Sequence, residues 1–156
     1  MAYYLSKERE EDVAAAYRRY LGYLRDNQSR FPPSAFALGT AMWYQDANHH
    51  HCPHDGWLES ITISEPSSGD SHEKRSTTIR IRLLGAYHDG FIEFLYPQVF
   101  RYTLAMPGCV SGHADWVYDE FRLSDDGHVV HEIEWGGDDC NWIIEASDVQ
   151  YQWIPK

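Results

Sequence analysis

The sequence predicts an α+β domain, with an N-terminal helix pair packed on a curved, meander-like antiparallel sheet of roughly five to seven strands. Three observations carry that prediction. Apolar residues recur at helical spacing in the first part of the chain and alternate at period two from Trp57 onward. Between these parts lies a His-rich stretch, residues 49–55, that follows neither pattern. At 156 residues the chain suits a single domain, with residues 6–44 helical and residues 57–154 forming the sheet.

Ser6 is placed to cap the first helix, and Glu8, Glu10, Glu11 and Asp12 follow where acids complement the helix dipole. Val13, Ala16, Tyr17, Tyr20, Leu21 and Leu24 then form one apolar stripe. Phe31, Pro32 and Pro33 end that helix, because proline restricts the residue before it and donates no hydrogen bond. Pro33 and Ser34 open a shorter helix through Phe36, Leu38, Met42 and Trp43.

Trp57, Ile61 and Ile63 mark a first strand, residues 66–75 a polar loop, and Ile79, Ile81 and Leu83 a second strand. His88, Asp89 and Gly90 form a tight turn, with Asp-Gly supplying the positive backbone angles. Pro97 interrupts the next run, so residues 99–104 are either a bent continuation or a separate edge strand. Residues 116–123 and 128–135 make a hairpin around Asp125, Asp126 and Gly127, with His131, Ile133 and Trp135 on one face and Glu132 and Glu134 on the other. Further alternation in 141–145 and 149–153 completes the sheet.

Hydrophobic content of 43% and aromatic content of 15% exclude a disordered chain. No apolar run reaches the roughly 20 residues needed to cross a bilayer. The first residues also lack the basic-then-apolar layout of a secretion signal, so a cytoplasmic protein is expected. Three cysteines at wide spacings form no disulfide framework or metal-binding pair motif. The net charge of -11 disfavours nucleic acid and anionic membrane as partners. Residues 115–150 hold eleven of the 24 acids and one of the 13 bases, a balance of -10 that leaves -1 for the rest.

That acidic segment is the candidate surface for a basic protein partner, since clustered charge of one sign speeds encounter and selects the partner's sign. Trp116, Tyr118, Asp119, Glu120, Glu132, Glu134 and Trp135 are the expected contact residues, aromatic anchors ringed by charge. The alternative is a metal-binding domain or metal-dependent hydrolase. If the His-rich stretch runs extended, His50, Cys52 and His54 share one side and suit zinc, with Asp55 as a fourth ligand or an orienting group. His113 and Asp115 offer a more distant pair. Cys52 or Cys109 beside a histidine is the candidate nucleophile, and Asp119, Glu120 and Asp138 supply candidate carboxylate pairs. His131, facing inward, reads as a satisfied core histidine. Arg80 and Arg82 read as cross-strand partners of Glu59 or Glu93.

Several short motifs occur in a familiar order: Phe31-Pro32-Pro33, His54-Asp55-Gly56-Trp57, Phe94-Leu95-Tyr96, Tyr118-Asp119-Glu120 and the turn from Leu123 to Gly127. In this layout the chain resembles small uncharacterised bacterial proteins akin to immunity proteins of toxin systems; Trp57 and the His49 to Cys52 tract stand outside the pattern. The resemblance implies an acidic cytosolic domain that neutralises a toxin, and it transfers no catalytic residues. The expected function is therefore a non-enzymatic acidic binding protein with no required cofactor, zinc belonging only to the alternative. Its oligomeric state is left open.

Overall fold

The computed structural model describes residues 2–106, 112–137 and 140–156. Three helices come first: α1 (Glu8–Glu11), α2 (Val13–Asp26) and α3 (Pro33–Thr40). Single 3-10 turns follow α2 (Gln28–Arg30) and α3 (Met42–Gln45). Among the described residues nine strands follow: β1 (Trp57–Ser64), β2 (Ser67–Ser68), β3 (Lys74–Arg75), β4 (Thr77–Leu84), β5 (Gly90–Leu104), β6 (Trp116–Leu123), β7 (Val129–Trp135), β8 (Trp142–Ala146) and β9 (Gln150–Pro155). The chain is an α+β protein. Its main sheet has seven strands, all paired antiparallel, in the order β1-β4-β5-β8-β7-β6 with β9 also on β5. β2 and β3 make a two-stranded ribbon inside the expected polar loop.

The long β5 divides the sheet. Its first half, from Gly90 to Leu95, pairs with β9, and its second half, from Val99 to Leu104, pairs with β8. Pro97 sits at the changeover, where its missing N–H leaves the ladder nothing to lose. Of the two sequence expectations for this stretch, the bent continuation is correct.

Inward-facing side chains of the sheet, among them Ile79, Ile81, Leu83, Ile92, Phe94, Phe121, Ile133 and Ile144, are fully buried. Ala16, Tyr20 and Leu24 of α2, Ala35 and Leu38 of α3, and Tyr44 cover them. At about 25 cal/mol per Å² of apolar surface, this shared core is the main source of stability.

Four local expectations need correcting. The α2 cap is Asp12, whose carboxylate accepts from the Ala15 N–H at 2.9 Å, while Ser6 Oγ accepts instead from Arg19 Nη2. The extended Asp12 backbone separates α1 from α2, so Val13 starts a new helix and is 48% exposed. Met42 lies in the 3-10 turn beyond α3 and is 87% exposed. In the β4–β5 turn the positive φ falls on His88. Gly90 is required for another reason: a Cβ there would lie 2.2 Å from the Trp153 ring.

The sheet's outer edge at β6 is closed by α2. Tyr20 and Tyr23, one helical turn apart, accept hydrogen bonds from the N–H groups of Phe121 (2.7 Å) and Leu123 (2.8 Å). At the other end of the same strand, Trp116 exchanges backbone bonds with Asp55 (2.8 Å) and Gly56 (3.0 Å), just before β1. The two edges of the sheet therefore meet at one end, and an edge that could template foreign strands is partly covered. Among the described residues no helix is long and apolar enough to cross a membrane.

Candidate functional site

The β6–β7 hairpin does not display the expected contact patch. Trp116, Glu120 and Trp135 have no exposed surface, and Asp119 is 1% exposed. A bulge between Trp116 and Tyr118 shifts the strand's alternation, so Trp116 and Asp119 both point inward although they are three residues apart. Trp135 faces inward with His131 and Ile133, opposite Trp116.

Asp119 anchors a polar network in the core. Its Oδ2 accepts from Tyr44 Oη at 2.7 Å and lies 2.8 Å from His131 Nε2, while Oδ1 accepts from Trp116 Nε1 at 3.2 Å. His131 Nδ1 lies 2.7 Å from Tyr96 Oη. Burial, and then the Asp119 charge, push the Tyr44 and Tyr96 phenols well above their ordinary range, so both stay protonated. A Tyr-His-Asp chain has the parts of a proton relay. Every member here is sealed from solvent, so the network satisfies the core and meets no substrate. His131 is the core histidine expected from its position.

Glu120, Glu132 and Glu134 of the hairpin are held by the chain's own groups. The Glu120 carboxylate accepts from the backbone N–H of Tyr3, Tyr4 and Leu5, at 3.0, 2.6 and 2.9 Å to Oε2, and from Arg122 Nη1 at 2.9 Å. It fastens the N-terminal segment to the sheet, which is why it is buried on an otherwise outward face. Arg122 also reaches Glu132 at 2.5 Å, and Arg9 binds both oxygens of Glu134 at 2.9 Å while lying 4.3 Å over the Tyr118 ring. Arg82 bridges Glu59 and Glu93, as expected, and Arg80 also bonds Glu93. Burial raises the Glu93 carboxyl, but the guanidiniums of Arg82 and Arg80 together hold it below its usual range.

The expected metal set is also taken apart. Residues 49–55 form successive turns, not an extended run, so alternate side chains do not share a side. His50 stacks on Tyr87 at 3.9 Å and bonds Asp89 at 2.5 Å. Cys52 is buried, donates its thiol to the Tyr44 carbonyl at 3.0 Å, and is pushed up to about 12 by burial, so it is no nucleophile. His54 Nδ1 lies 3.2 Å from Asp55 Oδ2 at an angle that makes no hydrogen bond. Cys109 and Asp138 lie outside the described residues.

Metal-ligating groups do converge elsewhere. Asp126, His128 and Glu145 bring ligand atoms within 4.8 Å of one another beside the β6–β7 turn. Glu145 is already shared between His128 Nδ1 and Arg101 Nη2, each at 3.0 Å, and a guanidinium at that distance opposes a cation. Burial raises the Glu145 carboxyl, and hydrogen bonds from His128 and Ser124 with the Arg101 charge bring it below its usual range. The trio reads as an ion-pair network.

The end where the sheet's edges meet keeps aromatic and acidic side chains at the surface. Trp57 and Tyr87 are 51% and 47% exposed there. Trp57 packs against His88 at 4.6 Å, and Tyr87 against His50. Asp89 and Asp55 have side chains 46% and 65% exposed, and His50 holds Asp89 below its usual range by hydrogen bonding. Asp115 is exposed and lines, with Trp57, Leu58 and His113, a hollow of about 720 Å³. Lys156 lies nearby with its ammonium 5.9 Å from the Phe91 ring centroid. In the sequence Trp57 registers only as the start of β1, on one face with Ile61 and Ile63. Its place beside His54, Asp55 and Gly56 was the available signal. No family profile, curated protein or solved structure matches this chain.

Proposed function

We propose that the chain is a non-enzymatic binding protein that docks a basic protein partner on this open end, most concretely as an immunity protein that neutralises a toxin. One observation carries the reading: two half-exposed aromatic rings, Trp57 and Tyr87, stand among the exposed carboxylates of Asp55, Asp89 and Asp115. Aromatic anchors surrounded by charge are the usual energetic centre of an interface. A basic partner suits those carboxylates, and the net charge of -11 attracts it from a distance. The contact surface thus moves from the β6–β7 hairpin to the loops at the meeting edges.

The test is to read the adjacent reading frames for a toxin domain and to co-express any such domain with this chain. Wild-type protein is expected to restore growth, and a Trp57→Ala, Tyr87→Ala double variant of unchanged fold is expected to lose protection. Equal killing with and without the wild-type chain would rule the reading out.

A further inference from the structure

The 720 Å³ hollow at the open end is lined by Trp57, Leu58, Gly112, His113, Ala114, Asp115 and Gly136. Its chemistry is one-sided. Trp57 offers a half-exposed ring, Asp115 a carboxylate with no side-chain partner among the described residues, and Leu58 and Ala114 apolar surface. His113 adds no charge: its Nδ1 donates to the Ala114 carbonyl at 3.0 Å, and burial lowers the imidazole below its ordinary range. Its Nε2 is closed to solvent, so His113 serves as an uncharged wall. Among the described lining residues none is a cation.

The walls are held in place before anything binds. The Asp115 carbonyl accepts from the Gly136 N–H at 2.9 Å, and the Trp116 N–H donates to the Gly56 carbonyl at 3.0 Å, which ties the Asp115 strip to the start of β1. A preorganised pocket loses less entropy on binding.

We infer that this hollow is the specificity pocket of the docking surface and receives an arginine side chain of the basic partner. The guanidinium stacks on Trp57 and meets the Asp115 carboxylate, while its methylene stem lies along Leu58 and Ala114. A planar, weakly hydrated cation does both at once, which a compact ammonium does less well. Anions are disfavoured by Asp115. The inference rests on the docking reading and goes beyond it in naming the side chain recognised.

The experiment is a two-dimensional NMR titration of the full chain with Nα-acetyl-arginine amide, compared with the isosteric, uncharged Nα-acetyl-citrulline amide. The arginine probe is expected to shift the Trp57, His113 and Asp115 signals saturably, with the citrulline probe binding about fivefold to tenfold more weakly. Asp115→Asn and Trp57→Ala, both at exposed positions, are each expected to weaken the arginine probe about threefold or more. Equal binding of the two probes, or shifts confined to other surfaces, would overturn the inference. A chain that protects cells yet treats the probes alike would retire the pocket and leave the docking reading standing. Selective arginine binding by a chain that protects no cell would support the pocket alone.

Discussion

The β6–β7 hairpin and the loop from His49 to Trp57 both carry histidine, aspartate and tryptophan, yet the fold uses them in opposite ways. In the hairpin, Asp119, His131 and Trp116 find their partners in one another and in Tyr44 and Tyr96, and no solvent reaches them. In the loop region, His50, Asp55 and Trp57 remain largely at the surface, with carboxylates and rings still able to meet something else. A polar residue becomes available for function when the chain itself does not supply all of its partners. Counting acids locates charge, but it does not say which acids are already occupied.

That contrast can be broken by mutation. The largest effect is expected from Asp119→Ala, which strands His131, Tyr44 and Trp116 without their common acceptor and should cost about 3–5 kcal/mol. Chemical denaturation measures it, and a loss under about 1 kcal/mol would show that the buried network is not what fixes this core. Tyr20→Phe comes next. It removes the acceptor for the Phe121 N–H at the sealed edge and should cost about 1–3 kcal/mol, with faster amide exchange at Phe121.

A smaller effect concerns pH. Glu93 and Glu145 have carboxyls below their usual range in the fold. Their contribution is complete above the unfolded value of about 4.3 and is lost as pH falls through the lower folded values. Thermal melts from pH 6 downward, roughly to pH 3, should therefore show falling stability in the acid range, with a shallower fall for Glu145→Gln. An unchanged slope would mean that the ion-pair ladder on the outer face adds nothing. The smallest effect on stability belongs to Trp57→Ala with Tyr87→Ala. Each ring is half exposed, so the pair should change unfolding free energy by less than about 1 kcal/mol while abolishing partner binding. A large loss of stability with binding intact would reverse the comparison, making the open end structural.

Much of the fold was legible because it depends on local periodicity. Ala16, Tyr20 and Leu24 lie on the buried face of α2, and Ile79, Ile81 and Leu83 on the buried face of β4, as their spacing requires. The inward His131 and outward Glu132 and Glu134 were readable for the same reason. The candidate site was less legible. The bulge after Trp116 reverses the parity on which Asp119 depends, and Glu120 is covered by the backbone of Tyr3 to Leu5, more than a hundred residues away in the chain.

By itself the sequence determined the class of fold, the two-part division of the chain, the strand faces wherever alternation runs unbroken, and a strong negative charge. Tertiary structure alone decided that Arg9 and Arg122 neutralise Glu134, Glu120 and Glu132 of the hairpin and Arg101 pairs with Glu145 of β8, that Tyr20 and Tyr23 close the β6 edge, and that Trp57 and Tyr87 stay outside with Asp55, Asp89 and Asp115. The physical reason is range. Periodicity is a relation between near neighbours, whereas the fate of a charge or a ring depends on groups brought to it from distant parts of the chain.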